Sequence, residues 1–448
     1  MLITDAALVD GRVRDVRVEG ERISAVERGL TPDSDERVIP ADGRLLFPGA
    51  IDVHVHFREP GFPHKETWET GSRSAAAGGV TTVVDQPNTD PATTTGAGFD
   101  AKATLAEASL VDYGINGGVT PDWEPDVLFD RPIFALGEVF LADSTGEMGI
   151  DAELFAEAVD RARDAGATVT VHAENADLFD EAAIESLEDD SDADSPPSSP
   201  TGRSAPADAW SAYRTAEAEI DAIERAVAVA NDADAPVHVA HTSTPEGVDA
   251  AVDAGATCEV TPHHLFLSRE DLPRLGTFGR MNPPLRSEDR RAALFERVAD
   301  GTVDVIATDH APHTVEEKEQ PLLEAPSGVP GVETMLPLLL ETVRQGRLEP
   351  ERVRDLVAAT PAKLFDLPQK GKVEPGRDAD LVLVDPDRPR ETQAGGLHSK
   401  AGWTPFEGLW GVFPELTMVR GTVVYTRDPE TGAETFGPAV GENVRPEE

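Results

Sequence analysis

Apolar and polar positions alternate in short runs at the start of the chain. Residues 2–8, 13–18 and 23–26 read as strands, separated by Asp10-Gly11 and Glu19-Gly20 turn signals, with no helical period among them. From Gly49 the rhythm changes to unbroken apolar runs, the mark of strands buried on both faces, alternating with amphipathic helical stretches. Eight such runs are found, at 50–55, 80–84, 113–119, 133–141, 168–172, 237–241, 257–261 and 303–308. Eight successive βα units predict a closed (β/α)8 barrel over residues 49–369. Beyond residue 370 the short-strand pattern returns at 379–384 and 416–425, punctuated by Gly and Pro. The fold class expected is therefore α/β, a TIM barrel with a small β-rich satellite domain built from both ends of the chain, 1–48 and 370–448. Residues 185–208, crowded with Ser, Pro, Asp and Glu, have too few bulky side chains to offset their ordering entropy and are expected to form a mobile acidic loop.

Charge adds to this picture. The 448 residues carry 39 Lys and Arg against 84 Asp and Glu, a formal net charge of −45, which argues against a nucleic-acid partner. The acids are spread along the whole chain and the bases are mostly Arg, as expected of a solvated skin suited to a salt-rich, halophilic cytosol. At molar salt the Debye length shrinks to about 3 Å, so the repulsion within such a skin is screened. The single cysteine, Cys258, precludes an intramolecular disulfide, and no window approaches the ~20 apolar residues that span a bilayer. Residues 1–10 lack a basic segment followed by an apolar run, so a cytoplasmic protein with no membrane partner is expected.

The chemistry begins at Asp52-Val53-His54-Val55-His56, where the period of a strand sends both imidazoles to one face. Two neutral imidazoles on one face suit a zinc-class cation, although an isolated His-x-His is more often an ordinary polar strand end. Further candidate ligands also fall where predicted barrel strands end: His172 in Val-His-Ala-Glu, His241 in Val-Ala-His-Thr and Asp309 in Ala-Thr-Asp-His-Ala-Pro-His. That rim is where barrel active sites assemble. His64 and His398 read as surface or lid residues, His238 as a strand neighbour, and His263 with His264 as loop residues near the rim; His310 is a candidate to orient Asp309.

Over almost its full length the chain resembles the amidohydrolase superfamily and, within it, the dihydroorotases. The motifs that carry the resemblance are Asp52 through Gly61, the Ala75–Asp85 run leading into Gln86-Pro87-Asn88-Thr89, Met281-Asn282-Pro283-Pro284-Leu285-Arg286, and Thr308-Asp309-His310-Ala311-Pro312-His313. The run from Ala325 to Thr334 looks like the family's loop over the substrate, and Asp378-Ala379-Asp380-Leu381-Val382 looks like its satellite domain. The resemblance implies one or two Zn2+ ions held by His54, His56, His172, His241 and Asp309, with an anionic bridge from the fourth strand. Many relatives place a carboxylated lysine at the bridge, whereas the matching segment here, Leu136-Gly137-Glu138-Val139, supplies Glu138. Its arm is shorter, so either the strand shifts or a single metal binds; Asp143 is the second candidate for the bridge.

The resemblance further implies that Arg58, Asn88 and His313 hold the carboxylate of dihydroorotate, while Asn282 and the Ser327-Gly328 backbone contact its ring. Arg58 offers a planar bidentate fork for that carboxylate. The metal would lower the pKa of a water from ~15.7 to about 7, and Asp309 would pass the water's proton to the departing ring nitrogen. The competing readings are an allantoinase or hydantoinase, which would share the metal ligands but not a carboxylate clamp, and an inactive scaffold, which would be expected to lose ligands. The partners expected are the small-molecule substrate and further copies of the chain in a homo-oligomer, with association with a transcarbamoylase left open.

Overall fold

A computed structural model describes residues 1–142, 148–188 and 207–445. The barrel strands are Ala50–Val55, Val80–Asp85, Asp112–Ile115, Leu136–Phe140, Val169–His172, Val237–Val239, Thr257–Val260 and Val305–Ile306, paired in parallel with their sequence neighbours. Two single bridges close the circle, Gly117 with Leu136 between the third and fourth strands and Val55 with His310 between the first and eighth. Asp52 reinforces that last seam, because its carboxylate accepts the Thr308 N–H at 3.0 Å and the Thr308 hydroxyl at 2.6 Å. The third, fourth, sixth and eighth strands are shorter than their apolar runs predict. At the rim the chain leaves the ladder and bends: His241 and Asp309 take φ of 31° and 45°, a region that L-residues enter only where surrounding structure holds them.

Local sequence also sets where the outer helices begin. Thr67, Thr95, Thr215, Thr244, Thr261 and Thr314 each precede a helix, and the side chain of each accepts a backbone N–H three residues on. Such caps satisfy donors that the first turn leaves unpaired. The longer helices turn an apolar stripe inward, as Phe155, Ala158, Val159 and Ala162 do in the helix Ala152–Ala165.

Both ends of the chain meet in one nine-stranded sheet. Leu2–Leu8, Val13–Glu19, Arg22–Glu27, Val38–Pro40 and Leu45–Pro48 come from the start of the chain; Leu381–Val384, Pro414–Val419, Thr422–Arg427 and Glu434–Phe436 come from its end. The halves join where Leu381–Val384 runs antiparallel to Leu45–Pro48, with Val382 opposite Phe47. The period of two sorts the side chains of this sheet. Leu46, Leu381 and Leu383 pack into the sheet's own core, whereas Phe47, Val382 and Val384 join the core of the barrel. The run 416–425, read from sequence as one strand, is a hairpin turned by Arg420-Gly421, both at positive φ.

Beneath the barrel the buried Lys370 ammonium lies 2.7 Å from Asp112 of the third strand and 2.7 Å from Asp380 of the satellite sheet. The acidic stretch expected to be mobile lies, over residues 189–206, outside the described residues. Its edges belong to the helices Ala182–Glu188 and Ala207–Tyr213 rather than to a loop, and Ile184 and Trp210 there are buried. Asp143 also lies outside the described residues. Among the described residues no helix is long and apolar enough to cross a membrane.

Candidate metal centre and substrate cavity

Six residues from five strands converge at one end of the barrel. His54, His56 and Glu138 form one group whose ligand atoms lie within 4.8 Å of each other, and Glu138, His172 and His241 form a second. Glu138 belongs to both. Its Oε2 lies 3.3 Å from His54 Nε2, while its Oε1 lies 3.0 Å from His172 Nδ1 and 2.5 Å from His241 Nε2. Asp309 Oδ1 closes the first group at 3.0 Å from His56 Nε2 and 3.7 Å from His54 Nε2. The shorter arm of Glu138 therefore reaches both histidine pairs, and the backbone beneath it is held in place. Gln86 Oε1 accepts the Glu138 N–H at 2.9 Å, and a Cβ on Gly137 would fall 2.0 Å from Thr170 Oγ1, so only glycine fits before it.

These donors fit divalent cations. His172 Nδ1 and His241 Nε2 face each other at 3.1 Å, a spacing that requires a shared proton or a cation between two ring nitrogens. His54 Nε2 is buried and makes no hydrogen bond among the described residues. Imidazole and carboxylate donors in this proportion suit a zinc-class ion. The second nitrogens of three histidines are held from behind: His54 Nδ1 by Glu259 at 2.7 Å, His56 Nδ1 by Asn88 Oδ1 at 2.7 Å and His172 Nε2 by Glu174 at 2.9 Å.

Burial alone would raise the Asp309 carboxyl, but the His56 hydrogen bond and the nearby histidine charges hold it at about 2. Burial likewise opposes ionisation of Glu138, yet His241 and His54 keep it well below the usual carboxylate range. Burial works against the His172 cation, and Glu138 and Glu174 nevertheless carry it up to about 9.

Above this cluster lies a cavity of about 310 Å³ lined by His56, Arg58, Asn88, Glu138, Phe140, His172, His241, Asn282, Asp309, Ala311, Ser327 and Gly328. Ten of the residues singled out from sequence thus face one space, with His54 beneath and His313 behind it. Burial pulls the Arg58 guanidinium down to about 10, which leaves it a cation at neutrality. Its Nε donates to Pro312 O at 3.2 Å, and His313 Nε2 sits 3.1 Å from its Nη2 and 2.9 Å from Ser327 O. His313 thus packs between Arg58 and the Ser327 loop, with its Nε2 able to donate to Ser327 O. Asn282 Oδ1 accepts from Trp210 Nε1 at 3.0 Å and from Ser327 Oγ at 3.2 Å, which sets the orientation of its amide. The Gly328 N–H donates to Arg280 O at 3.0 Å, so this segment meets the cavity through its packed backbone rather than through that donor.

His310 does not orient Asp309. Its Nδ1 accepts the Gly331 and Val332 N–H groups at 3.0 and 3.3 Å, and its Nε2 lies 3.4 Å from Glu66, because its neighbour Asp309 turns the chain and sends the next side chain the other way. His263 and His264 lie in a short helix, Pro262–Phe266, and are buried rather than part of a loop. Sequence reading missed Glu174, Arg214 and Glu259. Arg214 Nε lies 3.0 Å from both Glu174 oxygens, clamping the carboxylate that supports His172. The only sequence signal was Glu174 itself, two positions past His172 and so on the same side of an extended chain.

Residues 45–424 match the model of the amidohydrolase family. The chain is 61% identical over 446 residues to a dihydroorotase from Halobacterium salinarum, covering 99% of each chain. It is 43% identical over 432 residues to a dihydroorotase from Methanosarcina acetivorans, covering 93% of this chain and 89% of the relative. Among solved structures it is similar to an L-hydantoinase from Arthrobacter aurescens, with a TM-score of 0.88 and 30% identity over 98% of each chain. A dihydropyrimidinase from Brevibacillus agri gives a TM-score of 0.87 at 28% identity, over 99% of this chain and 98% of that one.

Proposed function

The chain belongs to the amidohydrolase family, and from that premise we propose how its residues carry out the reaction of its dihydroorotase relatives. It is a metal-dependent cyclic amidohydrolase with dihydroorotase activity, opening dihydroorotate reversibly to N-carbamoyl-L-aspartate in pyrimidine biosynthesis. The observation that carries the assignment of roles is a carboxylate, Glu138, shared by two histidine pairs at the floor of a cavity whose wall holds a buried arginine.

His54, His56, Asp309 and Glu138 Oε2 would hold one zinc-class cation, and His172, His241 and Glu138 Oε1 a second. Such ions supply Lewis acidity and bring the pKa of a water to about 7. Arg58 pairs with the substrate carboxylate, and its fork fixes the ring in one orientation. Asn88, whose Oδ1 already accepts from His56, links that clamp to the metal ligands. Asn282 and the Ser327-Gly328 segment border the ring, while His313 braces Arg58 from behind. Asp309, ionised and beside His56, accepts the proton of the attacking water as oxygen adds to the ring amide carbonyl. It then delivers that proton to the ring nitrogen as the C–N bond breaks, and ring closure follows the same path in reverse.

A neutral ring would leave the buried Arg58 charge unpaired in the complex, which argues for a carboxylate-bearing substrate over allantoin or hydantoin. The test is a direct assay in molar KCl, offering dihydroorotate, carbamoyl-aspartate, allantoin and hydantoin, with zinc quantified per chain. Turnover of the first two is expected; turnover of allantoin or hydantoin alone would overturn the reading.

A further inference from the structure

Below the metal ligands a row of buried polar groups continues toward the opposite end of the barrel. His54 Nδ1 lies 2.7 Å from Glu259 Oε1, Glu259 Oε2 lies 3.2 Å from His238 Nε2, and His238 Nδ1 lies 2.8 Å from Thr257 Oγ1. Glu259 and His238 are each almost wholly buried, at 1% and 2% exposure. Thr257 opens the seventh strand, and together with His238 it lines a cavity of about 510 Å³ at the base of the barrel, beside Thr168, Pro236 and Phe365.

We propose that Glu259 is the positioning residue for both halves of the metal centre, held in turn by His238. A neutral imidazole has a single N–H. By accepting it from Nδ1 of His54, Glu259 leaves Nε2 as the lone-pair nitrogen, and this is the atom that faces Glu138 and Asp309 without a hydrogen bond among the described residues. The same Oε1 accepts the backbone N–H of His241 at 3.3 Å. His241 sits at φ 31°, and this bond steadies the bend that turns its Nε2 to within 2.5 Å of Glu138 Oε1. One carboxylate thus ties a ligand of the first half-site to a ligand of the second. With Oε2 engaged by His238, and His238 anchored on Thr257, it has no free rotation. The interior of such a barrel is ordinarily filled by branched apolar side chains, and a buried carboxylate there costs stability that packing alone does not explain.

The proposal rests on the metal-centre reading above, and the experiment separates the two. Metal-free protein is titrated with Co2+ and followed by its visible spectrum, by the number of ions bound and by the melting temperature without metal. Wild type should bind; wild type that binds no Co2+ would remove the metal-centre reading itself. Glu259→Ala should bind Co2+ about 10–100-fold more weakly, with a changed spectrum and weakening at both half-sites. His238→Ala should shift in the same direction by less, and added imidazole, admitted through the base cavity, should restore it. Wild-type affinity and spectrum in Glu259→Ala would overturn the proposal; should that variant fail to fold, wild-type behaviour of His238→Ala would do so.

Discussion

At Asp309 the backbone takes φ 45°, a conformation that aspartate and asparagine tolerate better than most side chains. Asp309→Asn therefore keeps shape and backbone while removing the carboxylate proposed as the proton acceptor. Turnover is expected to fall at least ~100-fold with an unchanged metal-free melting temperature, checked by steady-state kinetics and a thermal melt. Near-native turnover would refute the acid–base role. His54 and His56 were legible in the sequence because a strand's period of two sends them to one side, and Glu138 was legible as a carboxylate in place of lysine. That Glu138 serves both histidine pairs was not legible, since it depends on how the fourth strand sits against the fifth and sixth. Glu174 and Glu259 stayed hidden among 84 acidic residues, because nothing local distinguishes a carboxylate behind a ligand from one in solvent.

The elements were readable wherever a repeat of apolar positions ran uninterrupted, and they were misread where a turn was short. Alternation continued through Arg420-Gly421, so two strands looked like one. Contacts between elements were beyond such reading, and His398 shows why. The sequence suggests a surface or lid residue, yet His398 bridges the loop at Glu333 and the satellite strand at Glu434, at 2.9 and 3.1 Å. Burial lowers the pKa of His398, but hydrogen bonding to Glu333 and the charges of both glutamates outweigh it, and the net shift is upward. A histidine raised on folding adds stability that is complete below its unfolded value near ~6.5 and is lost as pH rises through the folded value. The melting-temperature gap between wild type and His398→Gln should therefore be widest below the unfolded value of ~6.5 and narrow as pH rises above it. A gap independent of pH would show that the charge contributes nothing.

Across the whole molecule the −45 charge sets the conditions under which the fold is stable. In dilute buffer of about 10 mM the Debye length is about 30 Å, so acids on different elements repel one another; in molar KCl it is about 3 Å and they do not. The melting temperature is expected to fall as KCl is removed, and circular-dichroism melts that coincide in dilute buffer and molar KCl would exclude a salt-adapted surface. The sequence by itself determined the eight βα units and the β-rich ends, because each follows from the period of apolar positions, and it put imidazoles and carboxylates at the strand ends, because those residue types are local. Only the tertiary structure decided that Glu138 stands between two histidine pairs, that His310 turns away from Asp309, and that Glu259 reaches His54 from 205 positions away. Those outcomes depend on barrel closure and strand register, which bring together groups that share no local pattern.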